Sequence, residues 1–191
     1  MNDNKTAALP GTYVRRSTYA DDYPTVQRCM AFVDMSSFTS YVYQNGSRAA
    51  AGKVADFRSI IRTTTGMHGI RVALWLGDGA LLVGLSAHDV MDALCEIAQQ
   101  CHQETIPVHC GVAMGDVIIF EGNDYLGQTL NIASRLSHIA ETAEAYCFNI
   151  DHTDLPLQCT YELLSDISIR GAGNLSTVAR VKLIPYAQSP A

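Results

Sequence analysis

The sequence lacks any apolar run near the roughly 20 residues that a membrane helix requires, so we expect no transmembrane segment. It also lacks an excess of positive charge, because 13 Lys and Arg stand against 19 Asp and Glu, a formal net charge of −6. Nonspecific binding to nucleic acid or to anionic membranes relies on basic patches, so we expect neither partner. The polar start has no signal-peptide stretch, which predicts a cytoplasmic protein.

The six cysteines include no C-x-x-C pair, and the six histidines show no metal-ligand spacing. These absences argue against a disulfide framework and against a structural zinc site. We therefore expect reduced thiols buried in a core. Hydrophobic residues make up 48% of the 191 residues and charged residues 17%, which is typical of a globular chain long enough to bury a core.

Hydrophobic patterning divides the chain into an N-terminal arm at 1–26, one domain at 27–184 and a tail at 185–191. Within the domain, short apolar strands alternate with amphipathic helices, which predicts an α/β sandwich on a mixed sheet. The predicted helices are 47–65, 90–103 and 127–140. The predicted strands are 29–33, 69–75, 80–85, 107–113, 117–120, 145–150 and 177–184, with a turn at 114–116.

Two acidic residues stand out by their position. Asp34 ends a buried apolar strand, where an unpaired charge is costly, and Asp78 occupies a Gly-flanked hairpin tip. If the two strands are neighbours, both carboxylates converge at one edge of the sheet and can hold Mg²⁺ or Mn²⁺. The alternative is a helix N-cap for Asp34 and an ordinary turn residue for Asp78.

The segment after Asp34 is a candidate phosphate site. Ser36, Ser37, Phe38 and Thr39 would open a helix there, and backbone N–H groups at a helix start suit a phosphate. The chain contains no G-x-x-x-x-G-K-[ST] string, so this segment is not a P-loop.

A second candidate site follows Asp124 in the segment D-Y-L-G-Q-T-L-N-I-A-S-R. Asn131 and Arg135 are four residues apart and share one face of the predicted helix. An amide and a guanidinium that point the same way can hold a ribose oxygen and a developing phosphate charge. The alternative is a solvated polar face.

Four segments carry a family resemblance: F-V-D-M-S-S-F-T, L-G-D-G-A-L-L, C-G-V-A-M-G-D and D-Y-L-G-Q-T-L-N-I-A-S-R-L. In order and spacing they resemble the class III nucleotidyl cyclase catalytic domain over residues 27–184. The resemblance implies a ferredoxin-like βαββαβ core with a mixed central sheet and helices packed on it. It also implies that Asp34, Asp78 and the Met35 carbonyl hold two divalent cations, Mn²⁺ or Mg²⁺.

The same resemblance implies roles for residues of the second site. Asn131 matches the residue that positions the ribose, and Arg135 matches the one that stabilises charge on the α-phosphate. Asp124 matches the acid that recognises the base, and Arg170 a basic residue near the triphosphate. The ribose 3′-hydroxyl of a nucleoside triphosphate then attacks the α-phosphate, in composite sites shared across a homodimer.

The chain departs from the family at the position of its adenine-reading lysine, which is Leu74 here. Leucine cannot donate to a ring nitrogen, so an ordinary adenylate cyclase is disfavoured. Leu74 and Trp75 point to opposite faces of a strand, and either one could meet the base. Trp75 would stack on a small ring or belong to the core. Asp124 can accept from adenine, cytosine or uracil.

The lost lysine, together with Arg71 and Trp75, resembles the pyrimidine cyclases of the bacterial Pycsar antiphage system. That resemblance implies conversion of UTP, favoured over CTP, into cyclic UMP, which activates a separately encoded effector. A cytidylate cyclase, an adenylate cyclase and an inactive cyclase-like domain that binds nucleotide or only dimerises stay open. A GGDEF-type cyclase is excluded because no G-G-[DE]-E-F string occurs.

Overall fold

The structure, a computed structural model, describes residues 23–121, 124–170 and 172–183. The predicted tail and residues 1–22 of the predicted arm lie outside these ranges. The elements are β1 (Thr25–Met35), α1 (Phe38–Met67), β2 (Arg71–Leu76), β3 (Gly79–Gly84), α2 (Ala87–Gln103), β4 (Val108–Phe120), β5 (Asp124–Leu126), α3 (Gln128–Ser137), β6 (Glu144–Phe148), a 3₁₀ turn (His152–Asp154), β7 (Thr160–Ile169) and β8 (Gly173–Lys182).

The strands form one mixed sheet in the order β2-β3-β1-β4-β6-β8-β7, and β5 pairs with β4. The first six elements of the chain, β1 to β4 with α1 and α2, follow the βαββαβ order of a ferredoxin-like core. β1 is antiparallel to both β3 and β4, whereas β4 and β6 are parallel. The predicted α/β sandwich with a mixed central sheet is therefore confirmed.

Alternation along β1 divides the core between two faces of the sheet. Cys29, Ala31 and Val33 face the layer of α1 and α2, which we call the helix-pair face. Met30 is buried on the other face with residues of α3, which we call the α3 face. Full burial of a large apolar side chain stabilises a fold by about 1.5–3 kcal/mol, so both layers contribute to the stability of the sheet.

Gly111 of β4 sets how closely α3 approaches the sheet. A β-carbon at this position would collide with the carbonyl of Ala133 and the backbone N–H of Ser137. Only glycine allows the two backbones to lie this close. The amphipathic pattern of α3 then buries Ile132 and Leu136 on the sheet.

The predicted turn at 114–116 is wrong, because β4 continues from Val108 to Phe120. Gln27 and Arg28 of β1 pair with Asp116 and Gly115 and extend the ladder through the Met-Gly-Asp segment. The glycine there serves packing instead, since a β-carbon at Gly115 would lie 2.7 Å from the Thr129 hydroxyl of α3.

Other elements also differ from the sequence prediction. α1 begins at Phe38 and continues through a kink at Gly46 (φ 81°, ψ 161°), so the predicted start at residue 47 matches only the part of the helix after the kink. β5 was not predicted. β7 was not predicted, and it pairs along its length with β8. No helix within the described ranges is both long and apolar enough to cross a membrane.

Candidate active site

Asp34 and Asp78 lie at one edge of the sheet because β1 and β3 are neighbours. Asp34 pairs with Gly79, the residue directly after Asp78. The backbone N–H of Met35 donates to the carbonyl of Asp78 over 3.3 Å, which ties the hairpin tip to the end of β1. The two acids are thus held together by strand pairing.

Gly79 leaves room for the Asp34 carboxylate, because a β-carbon there would lie 2.6 Å from Oδ1 of Asp34. The Asp34 side chain is 44% exposed. Burial raises its pKa and the charge of Asp78 raises it further, while His109 and His138 oppose the shift. Two carboxylates that repel each other in this way favour a bound cation.

The donor set fits a hard divalent cation. Asp34, Asp78 and the carbonyl of Met35 supply oxygen ligands, and Mg²⁺ is usually bound by one or two carboxylates together with substrate phosphates. No group of three or more His, Cys, Asp and Glu side chains in the described part of the chain could hold a metal ion. A cation at this edge would therefore have to take its remaining ligands from outside these side chains.

His109 is a residue of this edge that the sequence did not indicate. Its Nδ1 lies 3.0 Å from Oγ of Ser36, and its Nε2 lies 3.9 Å from Oδ2 of Asp34. Burial lowers the pKa of His109. The register of β1 against β4 places Asp34 opposite His109, a long-range pairing that leaves no local pattern in the sequence.

The predicted phosphate segment lies beside this edge at the start of α1. The backbone N–H of Ser36 donates to the Pro107 carbonyl over 2.7 Å and is therefore not available to a phosphate. Ser37 has a left-handed backbone at φ 59°, and Phe38 packs against the helix-pair core. Ser36, Ser37 and Phe38 line a groove of about 270 Å³, which does not include Thr39.

Asn131, Arg135 and Arg170 come together in a second pocket. Asn131 and Arg135 are exposed on α3, on the side away from its buried residues. Arg170 follows β7 and completes a pocket of about 330 Å³ with them. Neither Asp34 nor Asp78 lines this pocket. The arrangement supplies two guanidinium groups and one amide, a set suited to phosphate and ribose oxygens.

The predicted base-reading residues of β2 divide between the two faces of the sheet. Leu74 pairs with Leu81, which is buried on the α3 face, so Leu74 lies on that face too. Asp34 lies on the same face, because the residue before it, Val33, faces the helix pair and the strand alternates. Leu74 is 51% exposed there. Arg71 pairs with Val83 and lies on the same face.

Trp75 lies on the opposite face, so the structure does not bring it to Asp34 and Leu74. It packs against the helix-pair core, and the guanidinium carbons of Arg58 and Arg62 lie over its ring, 5.0 and 5.1 Å from the centroid. This placement fits the reading of Trp75 as a core residue, and its reading as a base-stacking residue stays a prediction. Asp124 is exposed at the start of β5, opposite Phe120.

No protein-family model matches the chain. The chain is 32% identical over 124 residues to an adenylate cyclase of Streptomyces coelicolor, a match that covers 63% of this chain and 32% of that protein. The chain thus spans about a third of the length of the curated relative it matches.

Solved cyclase structures share the fold. The catalytic core of a rhodopsin-guanylyl cyclase with converted specificity, in complex with ATPαS, gives a TM-score of 0.74 at 15% identity and covers 84% of this chain and 98% of its own. An adenylate/guanylate cyclase/hydrolase from Silicibacter pomeroyi gives 0.73 at 20% identity, covering 83% and 97%. The chain therefore has the fold of the class III adenylyl and guanylyl cyclase catalytic domain.

Proposed function

We propose that the chain is a nucleotidyl cyclase that converts a nucleoside triphosphate into its 3′,5′-cyclic nucleotide and pyrophosphate. The observation that carries the proposal is the meeting of Asp34 and Asp78 across the β1–β3 pair. The cyclase fold and the curated relative support the same class of reaction.

Each group of residues has its own part in the reaction. Asp34, Asp78 and the Met35 carbonyl would hold two divalent cations, which when bound would supply Lewis-acid charge at the phosphates and lower the pKa of the 3′-hydroxyl. Asn131 orients the ribose so that the 3′-oxygen lies in line with the α-phosphorus. A bond forms between these two atoms, the bond from the α-phosphorus to the oxygen that bridges it to the β-phosphorus breaks, pyrophosphate leaves, and the 3′-proton passes to solvent water. Arg135 and Arg170 stabilise the charge that develops on the phosphates.

Two copies of the chain complete each site in this proposal. The pocket with Asn131 and Arg135 is built on α3 and excludes the two acids. A homodimer with two-fold symmetry would set the Asp34 edge of one protomer against the Asn131 pocket of its partner, which gives two equal sites.

For the base we propose a pyrimidine, with UTP favoured over CTP. Leu74 is exposed on the face of Asp34 and offers no hydrogen bond to a ring nitrogen. Arg71 on the same face and Asp124 supply a donor and an acceptor for a smaller ring. The product would then act as a second messenger for a separately encoded effector in antiviral defence. The name of the Streptomyces relative favours a second candidate, an adenylate cyclase.

Product analysis by mass spectrometry tests the proposal. The purified chain is incubated with Mn²⁺, or with Mg²⁺, and with ATP, GTP, CTP or UTP in separate reactions, beside the variant Asp34→Asn. A cyclic nucleotide made by the native chain and not by the variant supports the cyclase, and cyclic UMP supports the base assignment. Cyclic AMP as the main product favours the second candidate. No cyclic product from any of the four contradicts the proposed activity.

A further inference from the structure

A pair of thiols meets outside the candidate active site. Cys95 lies on α2 and Cys159 lies one residue before β7, and their sulfur atoms are 3.0 Å apart in a thiol–thiol hydrogen bond. Neither residue touches the edge formed by Asp34 and Asp78 in any contact described above. The other four cysteines are all buried: Cys29, Cys101, Cys110 and Cys147.

Small molecules can reach one member of this pair directly. Cys159 is only partly buried. Cys95 is buried at 6% exposure, but it borders a pocket of about 490 Å³ whose wall includes Asp92, Glu96 and Gln158. The four remaining thiols are at most 2% exposed. Because oxidation of a thiol requires access as well as thiolate character, Cys159 is the thiol of the described residues that is best placed to react first, and Cys95 is its direct neighbour.

The hydrogen bond also distinguishes the two members of the pair. Either sulfur can donate this bond, but Cys159 is the more exposed of the two and Cys95 is buried. A bond donated by Cys95 lowers the pKa of the Cys159 thiol, although burial and Asp92 oppose this. The same bond, together with burial, raises the pKa of Cys95. Cys159 is therefore the member that becomes a thiolate first, and Cys95 is the resolving thiol.

We propose that Cys95 and Cys159 form a reversible oxidation site, at which a low-molecular-weight disulfide closes a bond between α2 and the start of β7. The Cys159 thiolate attacks one sulfur of the small disulfide and releases the first small thiolate. Cys95 loses its proton and attacks Sγ of Cys159, and the second small thiolate leaves. Two protein thiols are oxidised by two electrons, and one small disulfide is reduced to two thiols.

The geometry allows the bond with a small adjustment. The sulfur atoms must approach by about 1 Å to reach a bond length of about 2.05 Å. Cys159 is in the turn between the 3₁₀ turn and β7, where its backbone N–H donates to the Pro156 carbonyl over 2.9 Å, and it lies outside the β7–β8 ladder. The bond would tether the start of β7, whereas Arg170 follows the other end of this strand. It therefore acts on the hairpin that completes the second pocket.

Peptide mapping tests the proposal without reference to any catalytic activity. The native chain is titrated with oxidised glutathione, alkylated, and digested on the carboxyl side of Glu and Asp. This cleavage places each of the six cysteines in a separate peptide, since acidic residues separate all of them. The expected result is one cross-linked pair of peptides, that of Cys95 with that of Cys159, which dithiothreitol separates. A cross-link between any other two cysteines, or none at saturating oxidant, overturns the proposal.

Variants separate the two steps. With Cys95→Ala we expect the glutathione adduct to accumulate on Cys159, and with Cys159→Ser we expect neither adduct nor cross-link. Cys101→Ala is the matched control, because it removes a buried thiol of α2 and should leave the cross-link intact. Circular dichroism confirms the fold of each variant. An adduct on Cys95 in the Cys159→Ser protein would contradict the assigned order of attack.

Discussion

Gly79 lies so close to Asp34 that a β-carbon on the glycine would be 2.6 Å from a carboxylate oxygen of the acid. The close approach follows from the antiparallel pairing of β1 with β3, in which these two residues are partners. The absence of one side chain therefore determines where a charged group of the candidate active site can lie.

Gly79→Ala should displace the Asp34 carboxylate and lower cyclase turnover on the order of a hundredfold, the cost of moving a catalytic group by about 1 Å. Steady-state kinetics at saturating Mn²⁺ measures this loss. Gly52→Ala is the control, because no atom lies within 4 Å of a β-carbon at that position of α1. Equal activity of the two variants would show that the carboxylate position does not matter.

Arg135→Ala should lower kcat on the order of a hundredfold or more and change KM little, because the guanidinium is proposed to act on charge that develops in the transition state. The matched control is Arg48→Ala, which removes an exposed arginine of α1. Initial rates over a range of nucleotide concentrations separate the two constants. A rise in KM at unchanged kcat would assign Arg135 to ground-state binding instead.

An equimolar mixture of Asp34→Ala and Arg135→Ala chains should recover activity, although we expect Asp34→Ala alone to be inactive and Arg135→Ala alone to keep about a hundredth of the native rate or less. Random pairing gives about half mixed dimers with one intact site of two, and so about a quarter of the native rate. The measurement is turnover after subunit exchange. Mixed dimers that are shown to form by native mass spectrometry and yet stay inactive would contradict the shared site.

Leu74→Lys should raise kcat/KM for ATP relative to UTP, because a lysine on the face of Asp34 restores a donor for the ring nitrogen of adenine. Discrimination by one buried hydrogen bond is worth about 1–3 kcal/mol, or roughly five- to 150-fold. The ratio of the two constants is the quantity to measure. An unchanged ratio would place the base away from β2.

Trp75→Leu is the companion to that variant. The guanidinium groups of Arg58 and Arg62 lie over the ring on the helix-pair face, so the change should lower the free energy of unfolding and leave the ratio of kcat/KM for ATP and UTP unchanged. Each cation–π contact at a partly exposed site contributes about 0.5–1 kcal/mol. Urea unfolding reports the stability. A change in the preference between ATP and UTP would instead indicate that Trp75 contacts the base.

Elements with a strong local pattern were predictable from the sequence. The hairpin tip at Asp78 has glycine on both sides, and α2 carries a complete amphipathic repeat that Ser86 caps at its start. The Met-Gly-Asp segment at 114–116 has the composition of a turn. It is nevertheless extended, because pairing with β1 outweighs the local preference of a glycine.

Contacts that depend on the register between distant strands could not be predicted from the sequence. His109 meets Asp34 only because β1 and β4 pair over eleven residues. The faces of Leu74 and Trp75 depend on the irregularity between Val72 and Leu74, where the pairing of β2 with β3 shifts. A one-residue shift exchanges the two faces of a strand, so the orientation of Trp75 required the assembled sheet.

The close contact between Gly111 and the backbone of α3 limits how the protein can be regulated. At this point main chain lies against main chain, and Ile132 and Leu136 of the same helix are buried on the sheet, so a slide or rotation of α3 would force backbone atoms together. We therefore expect Asn131 and Arg135 to keep their positions relative to the sheet. We expect a signal that turns this molecule on or off to change the separation of two chains or the position of the β7–β8 hairpin, and not the position of α3.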